Sequence, residues 1–476
     1  MSAQSSIVWF RQDLRLEDNP ALTAAVSKGG PVIPVYIWAP EEEEGWAPGS
    51  ASKWWLHHSL QSLANELAHQ GIRLTIRQGK SLGNLLEIIK LTGADTVFYN
   101  RRYEPLALKR DAEIKTELLK LGIQFIPSNA SLLFEPWTIA NQQGKPYQVF
   151  TSFWKQCLKT ATPETLLEAP SFSKQKDLKV PTLRLEDLKL LPSIHWEGGI
   201  KAAWMPGAKE ALKILTNFKN HALTSYSEER NRPDHLGVSR LSPYLHFGEI
   251  SPRMIWEALK NIKEEAAAGF IRQLGWREFA YHLLYHFPYT VEKPLRKEFE
   301  NFPWSENQAS LKAWQKGQTG FPIVDAGMRE LWTTGWMHNR VRMITGSFLV
   351  KDLHLPWNEG ASFFWDTLVD ADLANNTLGW QWVAGCGADA APFFRIFNPV
   401  AQGEKFDPEG NYVRKWVPEL KNMPNKWIHK PWQAPELLLK SWGVNLGVNY
   451  PFPIVDHAQA RSQALKNFAT LKKSGD

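Results

Sequence analysis

The chain has 476 residues, enough for two domains and a large core, with 43% apolar and 22% charged residues. Its 23 tryptophans are far above an ordinary share and point to packing against flat ligands or to redox use, on top of an aromatic core. A net charge of +6 is compatible with a basic face for nucleic acid, while having only two cysteines, Cys157 and Cys386, excludes a disulfide framework, a cysteine-ligated zinc and a four-cysteine iron–sulfur cluster. The amino terminus runs straight into a strand-like segment without a basic leader, and no stretch approaches the roughly 20 apolar residues of a membrane helix. The expectation is a soluble, cytoplasmic protein.

Short apolar runs alternate with helical patterns through residue 133. The strand candidates are "SIVWFR", "VIPVYIW", "RLTIRQG", "DTVFYN" and "IQFIPS", and the helical patterns include 54–68, 82–91 and 106–121. Such alternation predicts an α/β domain with a parallel, Rossmann-like sheet covered by helices. Residues 134–206 carry scattered prolines and little periodicity, and read as an interdomain connector with a few short helices. From residue 207 to 476 strand signals vanish and helical patterns dominate, among them "PGAKEALKILTNF", "IRQLGWREFAYHLLYHF", "IVDAGMRELW", "NRVRMITGSFLVKDL" and "QARSQALKNFATL". The second domain is expected to be all-α.

Several familiar signatures fail. "GKS" at 79–81 lacks the phosphate loop's first glycine, because position 74 is Leu74. "GCGADA" at 385–390 matches a loose dinucleotide fingerprint but has no strand before it. His282 and His286 have the i, i+4 spacing of metal ligands with no third ligand nearby, so they read as helix histidines and no metal is expected. "EEEE" at 41–44 reads as a solvated loop.

What remains is a set of polar groups in apolar surroundings. In "DADLANNTLGWQW", from Asp370, two aspartates and two asparagines precede two tryptophans in a stretch too apolar for a surface loop. Each polar group needs a partner. Asp370 can supply the carboxylate that Arg342 would need if buried. On a helix, Gln273, Trp276 and Arg277 fall close together, as do Asn339, Arg342 and Met343, while Arg340 points elsewhere. Ser242 before Pro243 is a good helix start, with a hydroxyl to cap and a helix N-terminus that can receive a pyrophosphate. "ISPRMIW" repeats that start at Ser251.

"WFRQDLRLEDNPAL", "TGFPIVDAGMRELWTTGWMHNRVRMI" and "LGWQWVAGCGADAAPFFRIFNPVAQGEKFDPEGNYVRKWVPEL" resemble the photolyase/cryptochrome family from first strand to last helix. Within it, "WAPEEEEGWAPG", "WWLHHSL" and "NKWIHKPWQAPELLLKSWGVNLGVNYPFPIVDHAQAR" look most like class III bacterial photolyases, which stand near plant cryptochromes. The resemblance implies that the helical domain binds FAD folded into a U. Tyr226, Val238, Ser239, Arg240, Leu241, Ser242, Arg277, Asn339, Arg342, Asp370, Ala371, Asp372 and Asn376 would surround it. Val238 stands where the motif usually has threonine. Asn376 falls at the flavin N5 position, where plant-type photoreceptors carry aspartate; asparagine suits a flavin kept fully reduced, hence repair over signalling.

By the same resemblance, Trp380, Trp357 and Trp304 form an electron-hopping chain, and Trp276 and Trp382 grip a damaged pyrimidine dimer. Arg230, Arg340 and Arg395 neutralise phosphates of UV-damaged DNA, and Gln273, Asn339 and Met343 face the lesion. The implied activity is light-driven reversal of cyclobutane pyrimidine dimers by a monomeric deoxyribodipyrimidine photo-lyase. Gln273 departs from the acidic residue of dimer photolyases and is reminiscent of (6-4) enzymes, whose two histidines are replaced here by Asn339 and Met343. A cryptochrome photoreceptor without repair is the other alternative. The best-known folate antenna site is missing from "YEPLALKR", and class III relatives suggest methenyltetrahydrofolate near the loop after Trp38.

Overall fold

The computed structural model describes residues 4–160, 163–172, 178–262, 265–390 and 394–473. Five strands form one sheet: β1 (Ser6–Phe10), β2 (Val32–Trp38), β3 (Thr75–Gln78), β4 (Thr96–Asn100) and β5 (Gln124–Ser128). Their order is β3-β2-β1-β4-β5, and every pairing is parallel. β1, β2 and β4 are buried at every residue, so their sequences are unbroken apolar runs instead of alternating ones. The helices between them are α1 (Pro20–Lys28), α2 (Ser50–His69), α3 (Ser81–Thr92) and α4 (Pro105–Lys120). α1 is short, and the patterning did not single it out. It is fixed by Pro20 in its first turn and by the Asn19 side chain, which accepts from the Leu22 N–H at 3.1 Å.

The turn after β1 makes a seam with the helical half. Arg15, 1% exposed, donates to the carbonyls of Gly248, Asp18 and Ala130 at 2.6–2.9 Å. Asp18 accepts from the Ser251 hydroxyl at 2.5 Å and from Arg253 at 3.0 Å. Gly248 has φ +65° and packs so tightly that a Cβ would lie 2.1 Å from the Gln12 carbonyl oxygen. The charge-rich "RQDLRLED" is therefore largely a buried clasp between halves. Pro40–Trp46 is a 3-10 segment and not the solvated loop expected of four glutamates. Glu42 accepts from the backbone and hydroxyl of Ser81 at the start of α3, and Glu43 pairs with Arg102 and Arg110.

Residues 134–206 do more than connect. Helix α5 (Phe150–Thr160) lies against the long Glu265–His286 helix. Gly275 permits this approach, since a Cβ there would meet the Trp154 ring at 2.7 Å. The helical half is built from helices including Pro322–Thr334, Asn339–Ser347, Trp357–Thr367, Leu373–Ala384 and His457–Lys473. His282 is buried, with Nε2 accepting from the Tyr147 N–H at 3.1 Å and Nδ1 3.3 Å from the Pro136 carbonyl. Both ring nitrogens are thereby occupied by backbone. Among the described residues, no helix is long and apolar enough to cross a membrane.

Candidate functional site

A cavity of about 700 Å³ opens in the helical half, a size suited to a large cofactor. The Leu373–Ala384 helix forms one wall. Asp372 caps that helix, accepting from the Asn375 N–H at 2.8 Å. The Tyr281 hydroxyl donates to its other carboxylate oxygen, and His246 Nδ1 stands 3.8 Å away, an ion-pair distance. Burial alone would raise the Asp372 pKa, but His246, the Arg277 charge and the Tyr281 hydroxyl outweigh it and hold the carboxyl well below the usual range. Asp370 takes two contacts from Arg342, at 2.8 and 3.0 Å. Asn376 donates Nδ2 to the Ala361 carbonyl at 3.0 Å, which leaves its Oδ1 as an acceptor. The polar groups of "DADLANN" are thus satisfied by partners from three other elements.

Tyr226, Val238, Ser239, Arg240, Leu241, Ser242, Arg277, Asn339, Arg342, Asp370, Ala371, Asp372 and Asn376 all line this one cavity. So do Arg230, Gln273, Trp276, Met343, Trp382 and Arg395. Helical spacing grouped Gln273, Trp276 and Arg277 on one face and Asn339, Arg342 and Met343 on another, and both faces meet the cavity. Arg340 does not line it. Its guanidinium bonds Asn231 Oδ1 at 2.8 Å and lies 4.4 Å from the Phe406 ring. Trp380 is on the wall, packed edge-on to Phe364 at 5.0 Å and Trp314 at 6.1 Å. Trp357 and Trp304 lie off the wall, in and against the same apolar cluster as Trp380.

Ser242 corrects one expectation. The Ser242–His246 helix has only five residues, and the Ser242 hydroxyl does not cap it. That hydroxyl instead accepts from the Trp336 indole at 3.3 Å. Ser251 does cap its helix, accepting from the Met254 N–H at 3.0 Å. Arg240 stands at φ +55° and lies over Trp204 at 4.1 Å and Trp336 at 5.1 Å. Burial lowers its pKa, and its Nε is buried without a partner.

Toward the other end of the cavity the lining changes character. Trp276 stacks on Phe150 of α5, rings 3.8 Å apart and 8° from parallel, so one face is held by protein. Gln273 is fixed at both ends: Oε1 accepts from Arg230 at 3.2 Å and Nε2 donates to the Gly269 carbonyl at 3.0 Å. Trp382 has Arg395 at 5.7 Å from its ring.

Sequence reasoning missed four contributors. Trp336 and His246 line the cavity, and His246 Nδ1 is a buried polar atom without a hydrogen bond. Tyr281, four residues after Arg277 on the same helix, could have been found by the spacing that found Trp276. Asp389 lies in "GCGADA", which was discounted as a dinucleotide motif but does border the cavity. The orphaned His246 nitrogen, the serine hydroxyls, the arginines and the free Asn376 oxygen form a donor and acceptor set that fits a polar, ring-bearing dinucleotide.

Residues 270–470 match the model of the FAD binding domain of DNA photolyase, and residues 6–171 match the DNA photolyase model. The chain is 47% identical over 473 residues to a deoxyribodipyrimidine photo-lyase of Agrobacterium fabrum, covering 98% of each. It is 44% identical to cryptochrome-1 of Arabidopsis thaliana, covering 97% of this chain and 70% of that protein. The crystal structure of a class III photolyase from Agrobacterium tumefaciens superposes with a TM-score of 0.96 at 46% identity, covering 99% of this chain and 98% of that one. By sequence and by fold, the chain belongs to the photolyase/cryptochrome family.

Proposed function

We propose that the chain is a deoxyribodipyrimidine photo-lyase that reverses cyclobutane pyrimidine dimers in UV-damaged DNA, using FAD and light. The observation that carries this reading is one cavity that joins the cofactor set around Asp372 to the aromatic pair Trp276 and Trp382. Bound in its reduced form, FAD would supply blue or near-UV absorption and the one electron needed to split the dimer ring. Arg342, held by Asp370, and the hydroxyls of Ser239 and Ser242 would take the phosphate end. Asn376, anchored through one Nδ2 hydrogen to Ala361, would offer its Oδ1 as an acceptor to the ring edge, and its carboxamide has no acidic proton to give there. Trp276 and Trp382 would stack on the extruded bases, each contact contributing on the order of 1–3 kcal/mol. Photolyases are among the enzymes for which base flipping is the general rule. Trp380, Trp357 and Trp304 would return electrons from the surface to an oxidised cofactor.

Arg230 and Arg395 meet phosphates at the mouth, and Arg340 does so from outside the cavity wall. The division at residues 133 and 206, a monomeric state and a cytoplasmic site of action belong to the same proposal. A methenyltetrahydrofolate antenna would sit near the loop after Trp38, where a cleft of about 80 Å³ is lined by Trp38, Pro40, Glu43 and Trp46. That cleft admits only part of such a ligand, being well below the roughly 300 Å³ of ordinary small-molecule sites. Reconstitution with folate should add a near-UV absorption band; its absence removes the antenna.

The deciding experiment offers the reduced protein oligonucleotides carrying either a cyclobutane dimer or a (6-4) product, in blue light and in darkness. Light-dependent reversal of the dimer alone is expected. Reversal of the (6-4) product would assign Gln273 that specificity, and reversal of neither would make the chain a photoreceptor.

A further inference from the structure

Lys351 is a buried cation that the proposed chemistry does not use. It is 2% exposed and sits in a single π-helical turn, Phe348–Asp352. Such turns are commonly kept where a function needs them. Among the described residues no carboxylate pairs with it. Its neighbour Asp352 turns Oδ1 to His457, 2.5 Å from Nδ1, and makes no ion pair with Lys351, its Oδ2 being buried without a hydrogen bond. A buried ammonium without a counter-ion is costly, so its position needs a compensating role.

Its contacts supply one. Lys351 Nζ donates to the backbone carbonyl of Arg395 at 2.6 Å and lies 3.9 Å from the centre of the Phe394 ring. Phe394 is stacked in turn on Phe468 of the His457–Lys473 helix, 4.4 Å apart and 6° from parallel. Lys351 shares the lining of a void of about 20 Å³ with Trp382, Asp389 and Arg395, all three on the wall of the large cavity. Lys351 thus grips, from behind, the backbone that presents Arg395 beside Trp382.

We propose that Lys351 is a positioning residue for DNA: its ammonium fixes the Arg395 main chain and so aims the Arg395 guanidinium at a phosphate flanking the lesion. This rests on the functional reading above. It makes no contact with the cofactor set, so it acts on DNA affinity and not on repair once DNA is bound. Burial lowers the Lys351 pKa to about 7, with Cys386 and Asp352 acting the other way. The further charged groups around it are Asp389 across the void, Arg395 itself, and His457 through Asp352. The grip is therefore strongest below neutrality and weakens as the ammonium loses its proton above it.

The test measures dark binding to a dimer-bearing oligonucleotide and light-driven repair at saturating DNA. Lys351→Met should raise Kd about tenfold at pH 6 and leave saturated repair within twofold. The difference from wild type should shrink as pH rises to 8.5. In an Arg395→Ala background the same substitution should change Kd less than twofold, because the guanidinium that the grip aims is already gone. Flavin absorbance and circular dichroism report whether Lys351→Met folds. If it does not, the wild-type affinity should still fall with a midpoint near pH 7, and Arg395→Ala should flatten that fall. An unchanged Kd in Lys351→Met, additive effects with Arg395→Ala, or a pH step that survives Arg395→Ala would each overturn the proposal. A wild-type protein that neither binds nor repairs the dimer would instead remove the functional reading, and this inference with it.

Discussion

Gly360→Ala is the sharpest test of how the cavity wall is assembled. Gly360 lies on the Trp357–Thr367 helix, where its bare Cα faces the Trp380 ring. A Cβ would fall 2.0, 2.4 and 2.5 Å from three ring carbons. The ring must retreat by more than an ångström, and it has nowhere to go. Phe364 and Trp314 bound it at 5.0 and 6.1 Å, and even the more distant Gly346 would place a Cβ 3.6 Å away. The alternative is to part the two helices, which would break the Asn376 hydrogen bond to the Ala361 carbonyl next in sequence to Gly360. Overpacking of this kind costs about 1–3 kcal/mol, and the upper end applies because the neighbours are rings on rigid helices. Thermal unfolding should fall by roughly 5 °C. Photoreduction of the bound flavin under continuous blue light with an external reductant should slow severalfold, since both Trp380 and Asn376 are displaced. Gly346→Ala is the control: its Cβ would stand 3.2 Å from a Val383 methyl, a contact that small shifts relieve. If Gly360→Ala melts and photoreduces like wild type, then Trp380 is not held as described or is not on the electron path.

Glu249 should set a pH dependence of stability. Burial pushes its pKa from an ordinary 4.5 up to about 8, Trp55 donates to one oxygen at 3.0 Å, and the other oxygen is buried without a partner. Because the folded value is raised, its stabilisation is complete below about pH 4.5 and is lost as pH rises through 8, a change on the order of 5 kcal/mol. Glu249→Gln, neutral throughout, should be more stable than wild type at pH 8.5 in urea unfolding and show a flatter profile; a profile parallel to wild type refutes the assignment. Asp370→Asn removes the anion from Arg342, whose side chain is about a quarter exposed, so a loss of about 1–2 kcal/mol and reduced flavin retention on a desalting column are expected. Trp276→Ala should weaken dark binding to dimer-bearing DNA about tenfold, the scale of one lost stacking contact, while flavin content stays unchanged. Equal affinity for that variant would show that Phe150 backs a wall the lesion does not touch.

The sheet was legible because its strands are short and apolar, the three central ones buried at every residue, and bounded by helices of the right period. The helical faces around Gln273 and Arg342 were legible for a similar reason: spacings of three and four residues decide what points together, whatever lies opposite. What failed was anything that depends on a partner far along the chain. Nothing local distinguishes Ser242, whose hydroxyl meets Trp336, from Ser251, which caps its helix. The glutamates at 42 and 43 looked solvated because Ser81, Arg102 and Arg110, which occupy them, are 39 to 67 positions away. Trp276 was legible as a member of the helix face it shares with Gln273 and Arg277, but its Phe150 backing comes from a segment that read as connector.

The informative positions share one physical signature, a polar group placed where apolar neighbours make it expensive. Asp370, Asp372 and Asn376 carry it in the sequence itself, because Val369, Ala371, Leu373 and Ala374 are interleaved with them. Lys351 carries it too, inside "SFLVKDL", yet there the expense is visible only once Asp352 is seen to be committed to His457. The sequence offers Asp352 as an adjacent counter-ion and so hides the problem. The structure gives that carboxylate away and leaves the ammonium facing a carbonyl and a ring. A charge whose neighbouring counter-ion is spent elsewhere is therefore a better guide to function than a charge with none in sight, since the fold has twice declined the cheaper arrangement.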